Sequence, residues 1–204
     1  MSHKFFDLTF TPSVKQAQEH FGTRRNYERF EGGEPDFYGL TEQEMEYIAE
    51  RDSFYLATVG ENGQPYVQFR GGPPGFLKVL DSKRLAYADF GGNLQYISVG
   101  NLSVNDRAAL ILMDYPNQQR LKILVRIEMR DAEDVPGMIA QLKMPNYKAK
   151  IERAAILHVE AFDWNCPRHI TPRYTAEEIR ILNQPLYKQI EKLEAEIEQL
   201  KERR

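Results

Sequence analysis

The sequence predicts a mainly β chain with flanking helices, built around an antiparallel barrel, and three observations carry that expectation. Asn62-Gly63 sits between two runs of alternating apolar and polar residues, the strongest short-range hairpin signal. Several further short runs of period two follow one another between residues 53 and 163. Few helical patterns separate them, which favours a closed antiparallel arrangement over a parallel sheet with crossover helices.

The elements follow in order. Thr11-Pro12 reads as an N-cap with proline at the first helical position, and Gly22 is a natural stop. Between them Val14, Ala17 and Phe21 share one face, a stripe too thin to fold alone, so residues 1–40 are expected to form an arm that packs on the rest. A loop through Gly32-Gly33 and Pro35 closes it. Thr41 and Glu44 make a capping box, flanked by Leu40 and Met45 as a hydrophobic staple, for a helix ending near Arg51. Strands are expected at Ser53–Val59, Tyr66–Arg70, Phe76–Leu80, Leu85–Asp89, Arg107–Tyr115, Arg120–Arg130 and Ala155–Asp163, with short helices at Asn93–Asn101 and Val135–Leu142. Residues 41–165 thus form the barrel, and residues 166–204 a proline-rich turn and C-terminal helix. Thr175 and Glu178 form another capping box. Leu186, Ile190, Leu193, Ile197 and Leu200 then repeat at 4-3-4-3 spacing, the seam of a coiled coil, and Pro185 is expected to interrupt it upstream. A helix packed on its own barrel, an intersubunit coiled coil and a frayed tail all remain open.

Composition narrows the function. The 204 residues are 42% hydrophobic and 28% charged, ordinary for a globular chain, and 27 basic against 30 acidic residues leave a net charge of −3. Such a balance gives no global field for nucleic acid. No run approaches the length of a membrane span, and MSHKFFDLTF lacks the apolar core of a secretory signal. With one cysteine, Cys166, there is no internal disulfide framework and no multi-cysteine metal site. A cytoplasmic location is the expectation.

Alternation also sorts the strand faces. Tyr66, Gln68 and Arg70 share one face, and Val67 and Phe69 the other. Leu121, Ile123, Val125, Ile127 and Met129 form an apolar face opposite Arg120, Lys122, Arg126, Glu128 and Arg130. Lys78 lies on a third strand beside Phe76. Cations beside aromatic neighbours suit a ligand with an anionic end and a flat apolar body; solvated sheet faces are the alternative. Arg70-Gly71-Gly72-Pro73-Pro74-Gly75 lacks the Lys-Ser/Thr and following helix of a P-loop, so it reads as a sharp turn or a close backbone approach.

Tyr55-Leu56-Ala57-Thr58-Val59, the stretch from Gly63 to Asp81, Gly92-Asn93-Leu94-Gln95-Tyr96-Ile97-Ser98-Val99-Gly100-Asn101-Leu102, and Met113-Asp114-Tyr115-Pro116-Asn117 followed by Arg120-Leu121-Lys122-Ile123-Leu124 together carry a resemblance. Over residues 10–175 the chain resembles the pyridoxamine 5'-phosphate oxidase-related proteins with the FMN-binding split β-barrel, in a branch distinct from the vitamin B6 enzyme. The resemblance implies FMN as cofactor. Arg70 and Lys78 correspond to a strand arginine and lysine that bind its phosphate or flavin edge, with Gln68 and Gly71 beside them. Ala88 and Asp89 stand where a strand end offers backbone to the flavin. Relatives place a basic pair in the next helix, where this chain has Asn93, Gln95, Tyr96 and Ser98; the missing charge weakens the phosphate site or shifts it to Arg120 and Lys122. Trp164 and Arg168 are candidates for a lid over the substrate. The resemblance further implies a homodimer with flavin sites at the subunit interface. It points to an oxidoreductase that passes hydride through flavin N5 between a small organic substrate and oxygen or a nicotinamide. A non-catalytic flavin- or haem-binding module is the alternative.

Cys166 beside Arg168 and His169 could be a reactive thiol, but a lone loop cysteine is more often a small side chain. His158 reads as a sheet histidine satisfied by a neighbour rather than a haem ligand. Arg24, Arg25 and Arg29 read as a solvated cluster. No paired His/Cys metal spacing occurs, and no side chain is singled out as a general base.

Overall fold

A computed structural model of the chain describes residues 3–28, 30–31, 38–164, 166 and 168–203. Arg29, Asn165, Pro167 and the Gly32-Gly33…Pro35 loop lie outside the described residues. The chain divides into two compact units, residues 1–114 with 119–167, and residues 115–118 with 168–204.

The first unit opens with α1 (His3–Thr9), α2 (Pro12–His20), α3 (Arg24–Glu28) and α4 (Glu42–Ala49). Thr11 caps α2 with Pro12 at its first position, and Gly22 follows its end at φ +67°. Glu44 Oε2 accepts from the Thr41 amide at 2.9 Å and from the Thr41 hydroxyl, which closes the expected capping box. Helices α1 and α3 were not expected. Their apolar residues, aromatic apart from Leu8, are too few for a helical period: Phe6 stacks on Phe10 at 4.8 Å, and Tyr27 meets both rings edge-on.

Seven strands follow, β1 (Ser53–Val59), β2 (Pro65–Gly71), β3 (Lys78–Asp81), β4 (Arg84–Phe90), β5 (Arg107–Asp114), β6 (Gln119–Asp131) and β7 (Ile151–Trp164), with α5 (Ile97–Val104) after β4 and α6 (Pro136–Leu142) after β6. They form one antiparallel sheet in the order β2-β1-β5-β6-β7-β4-β3. The Asn62-Gly63 hairpin sets the first register, Ser53 opposite Gly71 and Val59 opposite Pro65, with Gly63 at φ +79°. Leu121, Ile123, Val125 and Ile127 of β6 are buried, as alternation predicts. Phe54 of β1 lies against Phe76 at 5.6 Å and Tyr87 of β4 at 5.4 Å, so the sheet curls until its two halves share one aromatic core. Among the described residues no backbone ladder joins β2 to β3, so the cylinder is split.

β3 begins at Lys78, later than expected, because Phe76 turns inward behind the Gly75 turn (φ +77°) instead of joining the ladder. α5 begins at Ile97, not Asn93. Leu94 and Tyr96 adopt left-handed conformations (φ +61° and +50°), and the Asn93 side chain accepts from the Gln95 amide at 3.1 Å, a turn that competes with the helix. β7 starts at Ile151, earlier than expected, where Glu152 and Arg153 obscure the alternation.

In the second unit, α7 spans Ala176–Glu202, opened by the Thr175/Glu178 capping box. It runs through Pro185, contrary to the expected interruption. Proline cannot donate to the Ile181 carbonyl, and the helix tolerates that single missing bond. No residue of α7 is buried. Gln118 Nε2 donates to the Ile170 carbonyl at 2.6 Å, and the Arg173 guanidinium stacks over Tyr115 at 5.0 Å. Among the described residues no helix is long and apolar enough to cross a membrane.

Candidate functional site

β2 carries its polar residues inward. Tyr66, Gln68 and Arg70 are half-buried, whereas Val67 and Phe69 are 61% and 58% exposed. A strand at the end of a sheet that turns its apolar side chains out and its polar ones in is lining a polar site. Two joined pockets occupy that side. The first, about 40 Å³, lies between β2, the end of β4, the 92–96 turn, the start of α5 and the start of β7. The second, about 190 Å³, is lined by Phe76, Tyr87, Phe90 and Tyr147, with Gly71 and Ala88. Gln68, Arg70, Phe90 and Gly92 belong to both.

In the polar pocket the Asp89 carboxylate, 2% exposed, accepts from Arg70 Nη1 at 2.7 Å and from Arg153 Nε at 2.9 Å. Arg153 also pairs with Glu152 at 2.8 Å and lies 5.0 Å over the Tyr96 ring. Two arginines thus face two carboxylates and the local charge is balanced. Donors are nevertheless concentrated here. Helix α5 starts at the pocket, and Ile97, Ser98 and Val99, whose first-turn amides have no intrahelical acceptors, line it. Ser98 Oγ donates to Gln68 Oε1 at 2.8 Å, fixing α5 to β2, and Asn101 Nδ2 donates to Thr58 Oγ1 at 3.0 Å, fixing it to β1.

Arg70 Nε and the Tyr87 hydroxyl are buried, and among the described residues neither has a hydrogen-bond partner. Both residues line the aromatic pocket. Burial pushes the Tyr87 phenol up to about 12, so it keeps its proton at neutral pH. An unsatisfied buried donor costs about 1–3 kcal/mol, so two in one pocket mark a place where a polar guest would restore lost bonds.

Nine of the residues expected at the cofactor therefore converge: Gln68, Arg70, Asp89, Asn93, Gln95, Tyr96 and Ser98 on the polar pocket, Gly71 and Ala88 on the aromatic one. Lys78, Arg120 and Lys122 line neither. Lys78 pairs with Ala86 in the β3–β4 ladder, and Arg120 is opposite Met113 with a buried, unpartnered Nε. Lys122 is held by Asp163 at 3.0 Å and lies 4.9 Å from the Phe5 ring, in an open groove of about 690 Å³ beneath the arm helices that Trp164 and Cys166 also line. Trp164 Nε1 donates to Glu44 Oε1 at 2.6 Å. Arg168 is exposed in the second unit. The cation that sequence reasoning missed is Arg153, which the ladder sets directly opposite Asp89. Its signal was a lone arginine before Ala154-Ala155, just outside the strand as read. His158 is exposed and lies 3.8 Å from Glu128. Arg24 is held by Glu31 rather than solvated.

FMN would ask three things of such a site: donors for a phosphate dianion, a flat apolar slot, and polar atoms at the slot for the ring edge. The polar pocket has room for a phosphate-sized group, the aromatic pocket offers the slot, and Arg70 Nε and Tyr87 Oη are the uncommitted polar atoms. These residues fit the group.

Solved structures with related folds include a candidate pyridoxamine 5'-phosphate oxidase of Lactobacillus delbrueckii, 22% identical, covering 63% of this chain and 96% of its own, with a TM-score of 0.48. HupZ of Group A Streptococcus is 17% identical over 66% of this chain and 100% of its own, with a TM-score of 0.47. An FMN-binding protein of Syntrophomonas wolfei is 15% identical over 61% and 88%, with a TM-score of 0.46. No curated protein matches the chain. The family model for pyridoxamine 5'-phosphate oxidase matches residues 40–169, from the residue before the α4 cap through the end of the barrel, and the chain belongs to that family.

Proposed function

We propose that this protein is an FMN-dependent oxidoreductase acting on a small organic substrate, working as a homodimer in the cytoplasm. The observation that carries the reading is Arg70: it stands where the polar and aromatic pockets join, one edge of its guanidinium tied to Asp89 and its Nε uncommitted. Family membership supports the same reading. FMN would accept or deliver hydride at N5, chemistry that belongs to the cofactor. The chain's own residues do the holding. Arg70, Arg153 and the α5 amides would take the phosphate, and the Tyr87 hydroxyl would meet the ring edge. The aromatic walls would exclude water. A pocket of about 190 Å³ is small for a tricyclic ring, since drug-sized ligands take about 300 Å³ or more, which supports a second subunit completing the site.

A non-catalytic flavin carrier is the second reading. It is favoured by the carboxylates lining the polar pocket, Asp89 and Glu152, both committed to Arg153. The experiment is a titration of purified protein with FMN followed by flavin absorbance, then NADH or NADPH oxidation and oxygen uptake by the loaded protein. Saturable binding that Arg70→Ala weakens, together with turnover, is the expected result. Binding without turnover selects the carrier, and failure to bind FMN overturns both.

A further inference from the structure

α7 presents a largely apolar row along which no residue is buried, Glu178 and Asn183 alone being partly covered. Because the helix passes through Pro185, the heptad pattern extends beyond the five positions that the sequence offers downstream of it. The d positions are Ile179, Leu186, Leu193 and Leu200, all exposed. The a positions are Ala176, Asn183, Ile190 and Ile197. We infer that α7 forms a parallel, in-register, two-stranded coiled coil with α7 of a second copy of this chain.

Four features select that occupant. β-branched isoleucine at a with leucine at d favours two strands over three or four. Asn183 fixes direction: in a parallel pair it meets its own copy and the two amides can bond to each other. In an antiparallel pair each a position faces a d position, and every d position here is isoleucine or leucine, which would leave the Asn183 amide buried without a partner. The flanking positions are compatible with parallel register, where g meets e of the following heptad. That rule sets Glu196 against Lys201, Leu182 against Tyr187 and Gln189 against Glu194, with no like-charged pair. Within one helix Glu196 lies 3.8 Å from Lys192 and Lys201 lies 2.7 Å from Glu198, contacts on an exposed surface that the cross-strand pair can share. Finally, Pro185 occupies c and the carbonyl it leaves unbonded, that of Ile181, occupies f. Both lie on the outer face, where water satisfies the carbonyl and the seam is undisturbed. A parallel pair has two-fold symmetry and closes without growing into a fibre.

This inference is independent of the flavin reading, and its test reads the tail directly. In the chain with Cys166→Ser, a single cysteine is placed at Leu186, Leu193 or Ala195, and covalent dimer is followed during mild oxidation. Leu186→Cys and Leu193→Cys are both expected to cross-link at least ~10-fold faster than Ala195→Cys, which sits at f on the outer face. Cross-linking at only one of the two seam positions indicates an antiparallel pair and overturns the inference, as do equal rates at all three. Glu196→Lys is expected to slow the Leu193→Cys reaction by setting lysine against Lys201, and Glu196→Lys with Lys201→Glu to restore it. Absence of rescue overturns the parallel register.

Discussion

The Arg70 guanidinium and the Asp89 carboxylate meet at 2.7 Å although four strands separate β2 from β4 in hydrogen-bonding order. The contact requires the sheet to curl almost fully round. It places an ion pair where a closed barrel would have a ladder.

Asp89→Asn leaves Arg70 and Arg153 half-neutralised in a buried setting. Removing one partner of such a network costs about 3–5 kcal/mol. The urea midpoint should fall accordingly, with the unfolding slope unchanged. A shift below 1 kcal/mol, compared by that slope, would show the network to be well hydrated.

Arg153→Ala should weaken FMN binding about as much as Arg70→Ala. One charge-assisted hydrogen bond contributes about 1.5–3 kcal/mol, so either variant is expected to raise Kd about 10- to 100-fold. Calorimetric titration would measure it. Unchanged affinity in Arg153→Ala with loss in Arg70→Ala would place the phosphate away from β7.

Glu31 is held down to about 2, first by the hydrogen bond from Arg24 and then by that from Lys15. Its folded-state value is below the ordinary 4.5. The stabilisation it gives the arm is therefore complete above that value and is lost as pH falls from 4.5 through about 2. Hydrogen-exchange protection in α2 and α3, measured against the intrinsic rate at each pH, should fall across this window, and Glu31→Gln should flatten the dependence while lowering protection at neutral pH.

Glu44 joins the α4 cap to the end of β7, accepting from Thr41 through one oxygen and from Trp164 through the other. Glu44→Ala removes both bonds and leaves the indole N–H without this acceptor, at a cost of about 1–3 kcal/mol. Trp164 is the chain's sole tryptophan, so its emission reports the site directly. An unshifted spectrum and midpoint would show that water replaces the carboxylate.

Much of the fold was legible because it rests on local chemistry. The Asn62-Gly63 turn, the Thr41/Glu44 and Thr175/Glu178 boxes and the β6 alternation each act over a few residues, and each appears where it was expected. Departures have non-local causes. Alternation could say that Gln68 and Arg70 share a face but not that this face turns inward, because the choice depends on how far the sheet curls. Lys122 belongs by sequence to a row of cations, yet Asp163, paired with it across the β6–β7 ladder, claims it. Arg153 went unread for the converse reason: its meaning comes from Asp89, a ladder partner 64 residues earlier. The aromatic contacts behind α1 and α3 likewise join rings that no helical period connects.

A wall fastened along one side by a salt bridge rather than by main-chain bonds behaves as a clasp. Loss of the Arg70–Asp89 contact weakens that seam without breaking a single ladder bond, so a substitution there acts on side-chain contacts and leaves the main-chain pairing intact.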